Sequence, residues 1–368
     1  MVYGILKDRK NGEYRVITAP SDAVEIIRRG HTVLFESGCG AFAGFPDGEY
    51  ESVGCRRARD AEEIFASADL VAKVKEFTPS EIALSRDGQM LLGCLHPAAN
   101  PDEVDALLGA RCIAFTAEDS HRHGSPNCEA AGKQGALFGL ESMLITNGGK
   151  GKYVGGLAGA PRMKVLILGA GQVGQGALSV LYALGADCTV MDINFGRLRT
   201  LAYEYNGIST SSCTRENIAR LLPTTDMVLN CVKWDKRRGD YLIDRQMLSL
   251  MERGSVVVDI SNDNPGAIET SRPTTLSEPR YTVDGIVHFC VSNIPSAVAN
   301  TASVAYSAEM LPFILALLEN GADKCCKADA FFRNSLTAYR GCLTHCETAA
   351  VQKRRLFSFE EAVESCSE

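Results

Sequence analysis

Three glycines stand at G-x-G-x-x-G spacing in Val165-Leu-Ile-Leu-Gly169-Ala-Gly171-Gln172-Val173-Gly174, directly after an apolar run. The spacing suits a strand–turn–helix that holds a dinucleotide. Gly169 permits the tight turn, Gly171 lets the backbone approach a pyrophosphate, and Gly174 lets the helix lie close on its strand. Gln172 and Val173 then open a helix whose free N–H groups and positive dipole suit phosphate. The next apolar run, Cys188-Thr-Val-Met, ends in Asp192, where a carboxylate can accept hydrogen bonds from ribose hydroxyls. An acid there repels a 2′-phosphate, so NAD is expected over NADP, a preference softened by Arg197 and Arg199 close behind.

A second group of residues is equipped for carboxylate and proton chemistry. Arg15 follows a short apolar run in a polar loop and can clamp a carboxylate with two parallel hydrogen bonds, or stand as a solvated surface arginine. Lys73 and Lys75, two apart, share one face of an extended segment. They can meet a substrate or form a solvated strand end with Glu76 as ion partner. His96 closes the run Met90–Leu95, the strand end where site residues gather in open α/β sheets, and histidine suits proton transfer near neutral pH. Its alternative is a hydrogen-bonded core histidine. Asp259 and Asp263 end and follow the run Val256–Ile260, as acid–base groups or as caps.

These residues need elements to carry them. Apolar runs at 2–6, 32–36, 70–74, 90–94 and 112–116 alternate with helical stretches at 20–29 and 60–68, and a long helix is expected at 128–145. A second βα series has strands at 165–168, 188–191, 227–231, 256–260 and 287–291. Such alternation predicts an α/β protein with largely parallel sheets. The glycine-rich segment 147–160 looks like a domain boundary. After Pro295 the chain reads as helical, with helices at 302–319 and 346–354, and no motif is evident from Lys353 to Glu368.

The chain has 368 residues, 45% hydrophobic and 23% charged, which predicts about two globular domains rather than disorder. A net charge of −7 without a basic stripe argues against nucleic acid. No membrane span and no signal peptide are expected. Most of the fourteen cysteines are scattered singly, many in apolar runs, and the near-pairs Cys325-Cys326 and Cys342-x-x-x-Cys346 lack zinc-site spacing. They read as reduced thiols of a cytoplasmic protein, and no metal is expected. His121 and His123 read as a solvated loop, and His345 as a packing or hydrogen-bonding residue. Trp234, the only tryptophan, is expected to cover the cofactor or the cleft beside it.

Nearly the whole chain resembles the alanine dehydrogenase family, which includes the transhydrogenase alpha subunit. The resemblance rests on Lys7-x-x-x-Asn11-x-Glu13-x-Arg15-Val16, Lys73-Val74-Lys75-Glu76, Leu95-His96-x-Ala98-Ala99, Gly148–Gly151, Gly169–Gly174, Met191–Asn194, Val258-Asp259-Ile260-x-x-Asp263, Arg272–Thr275, Val291–Pro295 and Ala338–His345. It implies two Rossmann-like domains. A cofactor domain, 128–299, is inserted into a discontinuous substrate domain, 1–127 with 300–368, and the active site lies in the interdomain cleft.

It also implies roles. Arg15 and Lys75 bind substrate, His96 and Asp263 handle protons, and Asn293-Ile294 turns against the nicotinamide ribose. Gly169, Gly171, Gln172, Val173, Gly174, Asp192, Arg197 and Ile260 complete the cofactor set. The implied reaction is NAD-linked oxidative deamination, by default of L-alanine to pyruvate and ammonia, in a homo-oligomer between dimer and hexamer. Departures from the family pattern are Pro97 and Asn264-Pro265-Gly266. Leu95-His96-Pro97, Gly171-x-Val173-x-Gln175-Gly176-Ala177 and Thr274–Pro279 also resemble carboxyethylornithine synthase. That points to a 2-oxo acid condensing with an amino-acid amine, which loop 118–127 could accommodate. A third possibility is a transhydrogenase-like nucleotide-binding subunit without turnover of its own.

Overall fold

A computed structural model describes residues 1–235, 238–262 and 266–366. The chain divides into two compact units, Met1–Ser125 with Ala299–Glu368, and Pro126–Val298.

The first unit is built on an eight-stranded sheet. Its strands are β1 (Val2–Ile5), β2 (Thr32–Glu36), β3 (Arg56–Ala58), β4 (Leu70–Ala72), β5 (Met90–Gly93), β6 (Ile113–Thr116), and the late pair β14 (Leu336–Tyr339) and β15 (Cys342–Leu343). Their order is β15-β14-β6-β5-β4-β1-β2-β3. The first six strands pair in parallel, as in Tyr3↔Leu70 and Leu91↔Ala114. Strands β4 to β6 are buried along their whole length, as expected for a parallel sheet covered on both faces.

The C-terminal region carries the two helices expected from the sequence, Ala299–Ala328 and Cys346–Gln352, but is not helical throughout. Helix Ala299–Ala328 breaks at Gly321, whose φ of +73° is left-handed. Residues Leu336–Leu343 then form the β14–β15 hairpin, whose first strand runs antiparallel to β6. The period-two signal was too short to read, because β14 has four residues and β15 two. The segment after Lys353 carries a helix, Phe359–Ser365, opened by a Ser358/Glu361 capping box, and Phe359 packs on Tyr339. Ile294–Ala328 is long and apolar enough to cross a membrane. Tyr306, Met310, Phe313, Ile314 and Leu317 of that stretch nevertheless lie in the unit's own core.

The second unit has strands β7 (Lys164–Leu168), β8 (Asp187–Asp192), β9 (Ser209–Ser212), β10 (Met227–Asn230), β11 (Val256–Asp259), β12 (Arg280–Val283) and β13 (Ile286–Phe289). The order is β12-β13-β11-β10-β7-β8-β9, parallel except for β12 at one edge. From β7 the chain runs outward through β8 and β9, then returns to the other side of β7 at β10. The strand order therefore reverses between β7 and β10, the point where open α/β sheets bind ligands. The segment 147–160, expected as a boundary, lies inside this unit, with Gly151 N donating to Met143 O and Met163 N to Val154 O. All fourteen cysteines are free thiols.

Candidate active site

In the first unit the backbone ladder continues past β4 and β5. Lys73 N donates to Leu92 O at 3.1 Å and Cys94 N to Val74 O at 3.0 Å, so the two lysines run beside the approach to His96. Asp8 fixes the Lys75 main chain by accepting its N–H at 2.7 Å. The two lysines then part company. Lys73 is buried against the Glu81 carboxylate at 3.0 Å, whereas Lys75 Nζ reaches His96 Nε2 at 3.4 Å.

His96 is pinned from its other side. Glu118 Oε1 lies 2.6 Å from His96 Nδ1 and also accepts the His96 backbone N–H at 2.6 Å. The second Glu118 oxygen accepts from the Thr116 hydroxyl. His96 holds a φ of +44°, a left-handed conformation that costs a non-glycine residue on the order of 1 kcal/mol and persists only where the surroundings dictate it. Burial pushes the Glu118 carboxyl upward, but the charge and hydrogen bond of His96 outweigh it and hold the group down at about 2.

Arg15 is buried, contrary to the surface alternative. Its Nε and Nη2 meet the two Glu13 oxygens at 2.8 and 2.7 Å. Burial works against the guanidinium charge and Glu13 more than restores it. Helix Ala299–Ala328 supports this stretch through Ser303 Oγ, which accepts Val16 N–H at 3.0 Å. The buried thiol of Cys94 is the common neighbour of these groups. Burial, with the Glu118 charge, raises it to about 12, against the opposing charges of Lys75 and Arg15. Its Sγ lies 3.4 Å from Tyr306 Oη. The structure thus gathers Arg15, Lys75 and His96 around Cys94 and adds Glu13, Glu118 and Tyr306, to which sequence reasoning gave no role. The sequence cue for Glu118 was its place at the end of β6, level with His96 after β5.

His121 is a correction, since its ring is half-buried against Tyr306 at 5.7 Å and not solvated, because Glu309 holds the adjacent Arg122 and His123 N–H groups. His123 is exposed. His345 caps helix Cys346–Gln352 through Nδ1 and reaches Asp119 at 3.2 Å. Among the described residues, no cluster of three or more His, Cys, Asp or Glu can hold a metal.

In the second unit a cavity of about 430 Å³ is lined by Gly169, Gly171, Asp192, Arg197, Trp234 and Arg238, among others, a usual size for a ligand pocket. Gly169 sits at φ +97°. A Cβ on Gly174 would stand 1.8 Å from Gly169 O, whereas one on Gly171 meets nothing within 4 Å. The helix Gln172–Ala183 has no side-chain cap, so the N–H groups around Gln172 and Val173 are offered to an anion. Asp192 is buried, accepts from Ala170 N and Asn194 N at 2.6 and 2.7 Å, and still lines the cavity. These features fit a dinucleotide.

The remaining expected cofactor residues sit past the other strands. Ile260 follows β11, and it and Ile294 fill the space left by Gly135, 2.7 and 3.5 Å from where its Cβ would stand. Ile294 is 2% exposed in the unit's core, and Asn293 is buried. Asp259 is buried, accepts from Asn230 Nδ2 at 2.8 Å and from Asn262 N at 3.0 Å, and its carboxyl is raised by burial. Asp263 lies outside the described residues, as do Asn264 and Pro265.

The N-terminal alanine dehydrogenase/PNT domain model matches residues 4–128 and the C-terminal one residues 136–346. The chain is 37% identical to an alanine dehydrogenase of Halomonas elongata over 352 residues, covering 94% of this chain and 95% of that one. It is 33% identical to an alanine dehydrogenase of Mycobacterium tuberculosis, over 93% and 94% of the two chains. A solved L-alanine dehydrogenase superposes with a TM-score of 0.89 at 31% identity, over 96% of this chain and 99% of that one. The chain belongs to the alanine dehydrogenase/PNT family.

Proposed function

We propose that the protein is an NAD-dependent L-alanine dehydrogenase, interconverting L-alanine with pyruvate and ammonia. The observation that carries this reading is the Arg15–Lys75–His96–Glu118 cluster, in a chain that matches alanine dehydrogenases along more than nine-tenths of its length. When bound, NAD accepts a hydride from the amino-acid α-carbon, and water converts the resulting imino acid to the oxo acid.

This chain's residues bind, orient and move protons. Arg15, aimed by its Glu13 fork, holds the substrate carboxylate. Lys75 donates to the carbonyl or imine side and polarises it. With Glu118 accepting at Nδ1, the base form of the His96 ring carries its lone pair at Nε2, on the Lys75 side, where it takes a proton from attacking water and returns it in the reverse direction. Asp263, a residue of the family pattern, shares the proton handling or stabilises the iminium. Gly169, Gly171, Gln172, Val173, Gly174 and Asp192 hold the cofactor, with Arg197, Ile260, Asn293 and Ile294 beside it. The buried Asp192 at the end of β8 favours NAD over NADP.

The free thiols suit a reducing, cytoplasmic compartment. Exposed Leu144, Ile145, Tyr153 and Leu157 provide apolar surface for a homo-oligomer. The test is NADH oxidation by the purified protein with pyruvate, offering ammonium or a panel of amino acids and identifying the product by mass. Alanine formed with ammonium alone supports the reading. A secondary amine formed only with an amino acid present replaces it with the condensing reaction.

A further inference from the structure

The cavity of the second unit carries more than the glycine motif. It opens past the carboxyl ends of β7 and β8 and beside the segment that follows β10, with Cys213, just after β9, in its lining. Strands β7 to β9 form the first half of the sheet, the half that takes the adenosine end of a dinucleotide in a doubly wound fold. The carboxylate expected at the adenosine ribose, Asp192, lies in the same lining.

Two features of the lining suit a flat, electron-rich ring. The Arg238 guanidinium lies over the Trp234 indole, 4.3 Å from the ring centroid. Asp240 holds that guanidinium in a fork, at 2.7 and 2.5 Å from its Nε and Nη2. The indole beneath it is only 5% exposed, so the plane this stack offers to a nucleobase face is the guanidinium, held flat on the tryptophan. Ile193 is 82% exposed, and it also lines the cavity. An isoleucine left this bare beside a pocket offers its apolar surface to whatever enters. Trp234 is itself anchored beneath, in an apolar cluster with Leu168, Met191 and Leu242.

We propose that Trp234 and the Arg238 guanidinium stacked on it form the wall against which the adenine end of the dinucleotide packs. This assignment rests on the cofactor reading above and names the residues that recognise the purine, which the glycine motif does not do. It also accounts for a bulky aromatic and an arginine held together in the lining of the cavity beside the glycine turn.

The chain has one tryptophan, so its emission reports this wall without any substitution. The unaltered protein is titrated with ADP-ribose, NADH and nicotinamide mononucleotide, following tryptophan emission, while calorimetry follows binding separately. Perturbed emission with ADP-ribose and NADH, and none with the mononucleotide, is the expected result. Trp234→Ala, which removes the support of that guanidinium, is then expected to weaken ADP-ribose binding about tenfold, the order of effect of losing a stacking plane beneath a base. Trp234→Phe, which keeps the core filled, should stay within about threefold. If calorimetry shows NADH bound while ADP-ribose leaves the emission unchanged, or if only the mononucleotide perturbs it, the wall assignment is overturned and the cofactor reading stands. If neither NADH nor ADP-ribose binds, both fall together.

Discussion

The two units build their sites from opposite materials. In the first, side chains are tied in pairs, as in Arg15 with Glu13, Lys73 with Glu81 and His96 with Glu118. In the second, the site is made of what is missing, with no Cβ on Gly171, a helix without a cap and a left-handed glycine turn. A site of paired side chains is sensitive to orientation, so removing one partner disturbs the other while the fold survives. A site of bare backbone is sensitive to volume, so a single methyl group matters. The largest effect should follow from His96→Ala. It is expected to lower kcat by about 10²- to 10⁴-fold, the usual contribution of a positioned acid–base group. NADH affinity measured by calorimetry should hold, and a loss of more than about tenfold there would break the comparison.

Next in size is Glu118→Gln. The amide keeps the shape of the side chain but no longer offers a charged acceptor to His96 Nδ1. A charge-assisted hydrogen bond of this kind contributes about 1.5–3 kcal/mol, so kcat should fall about 10- to 100-fold, with KM for NADH unchanged and Glu118→Asp recovering part of the rate. The same pair has a signature in acid. The folded-state value of Glu118, about 2, lies below its ordinary 4.5. Its contribution to stability is therefore full above about pH 4.5 and is lost as pH falls toward 2. Urea unfolding across that window should show a shallower dependence on pH in Glu118→Gln than in the unaltered protein, and an unchanged slope would deny the coupling.

Smaller still is the response of the glycine turn. Gly171→Ala adds a methyl group with nothing within 4 Å, so the fold should be untouched while the space for the pyrophosphate shrinks. NADH binding should weaken about tenfold, which is about 1.4 kcal/mol, without a change in melting temperature. Gly174→Ala is the contrasting control, since its methyl group would stand 1.8 Å from Gly169 O and must destabilise the unit itself. Equal effects of the two on stability would show that the turn is not divided between a packing glycine and a ligand-facing one.

The contrast also explains what could be read from the sequence. Gly169 to Gly174 is a local constraint, in which spacing alone fixes a turn and a helix start, so the motif was legible along with its flanking strands. The contacts that assemble the first site around His96 and Cys94 are non-local. Glu118 lies 22 residues from His96 and Tyr306 lies 212 residues from Cys94, and only the parallel order of β4, β5 and β6 and the returning helix bring them together. The hairpin Leu336–Leu343 was missed for the same reason, since β14 is defined by pairing with β6, and β15 by pairing with β14, rather than by their own pattern. The surface alternative for Arg15 stood open on its immediate sequence, which tells nothing of Ser303, the acceptor of the N–H of the next residue, Val16.

One carboxyl beneath the first site breaks the rule of paired charges, and it sharpens the comparison most finely. Glu103 is buried, and one of its oxygens accepts Phe77 N–H at 2.8 Å. The other has no hydrogen-bond partner among the described residues. Burial, together with the nearby charges of Glu76 and Glu118, raises the group to about 9, against the pull of the Phe77 hydrogen bond and Lys73. Glu103 is therefore a neutral acid in the folded protein at pH 7, whereas the unfolded chain releases its proton above about 4.5. A raised acid of this kind withdraws stability as pH climbs from 4.5 toward 9. Glu103→Gln retains an acceptor for Phe77 N–H and has no proton to lose. It is expected to raise stability by about 1 kcal/mol at pH 8, the order of one buried hydrogen-bonding group, and by much less at pH 5. Thermal unfolding at the two pH values checks this. A gain of equal size at both would mean that the carboxyl is already ionised in the fold and that a further partner for it exists.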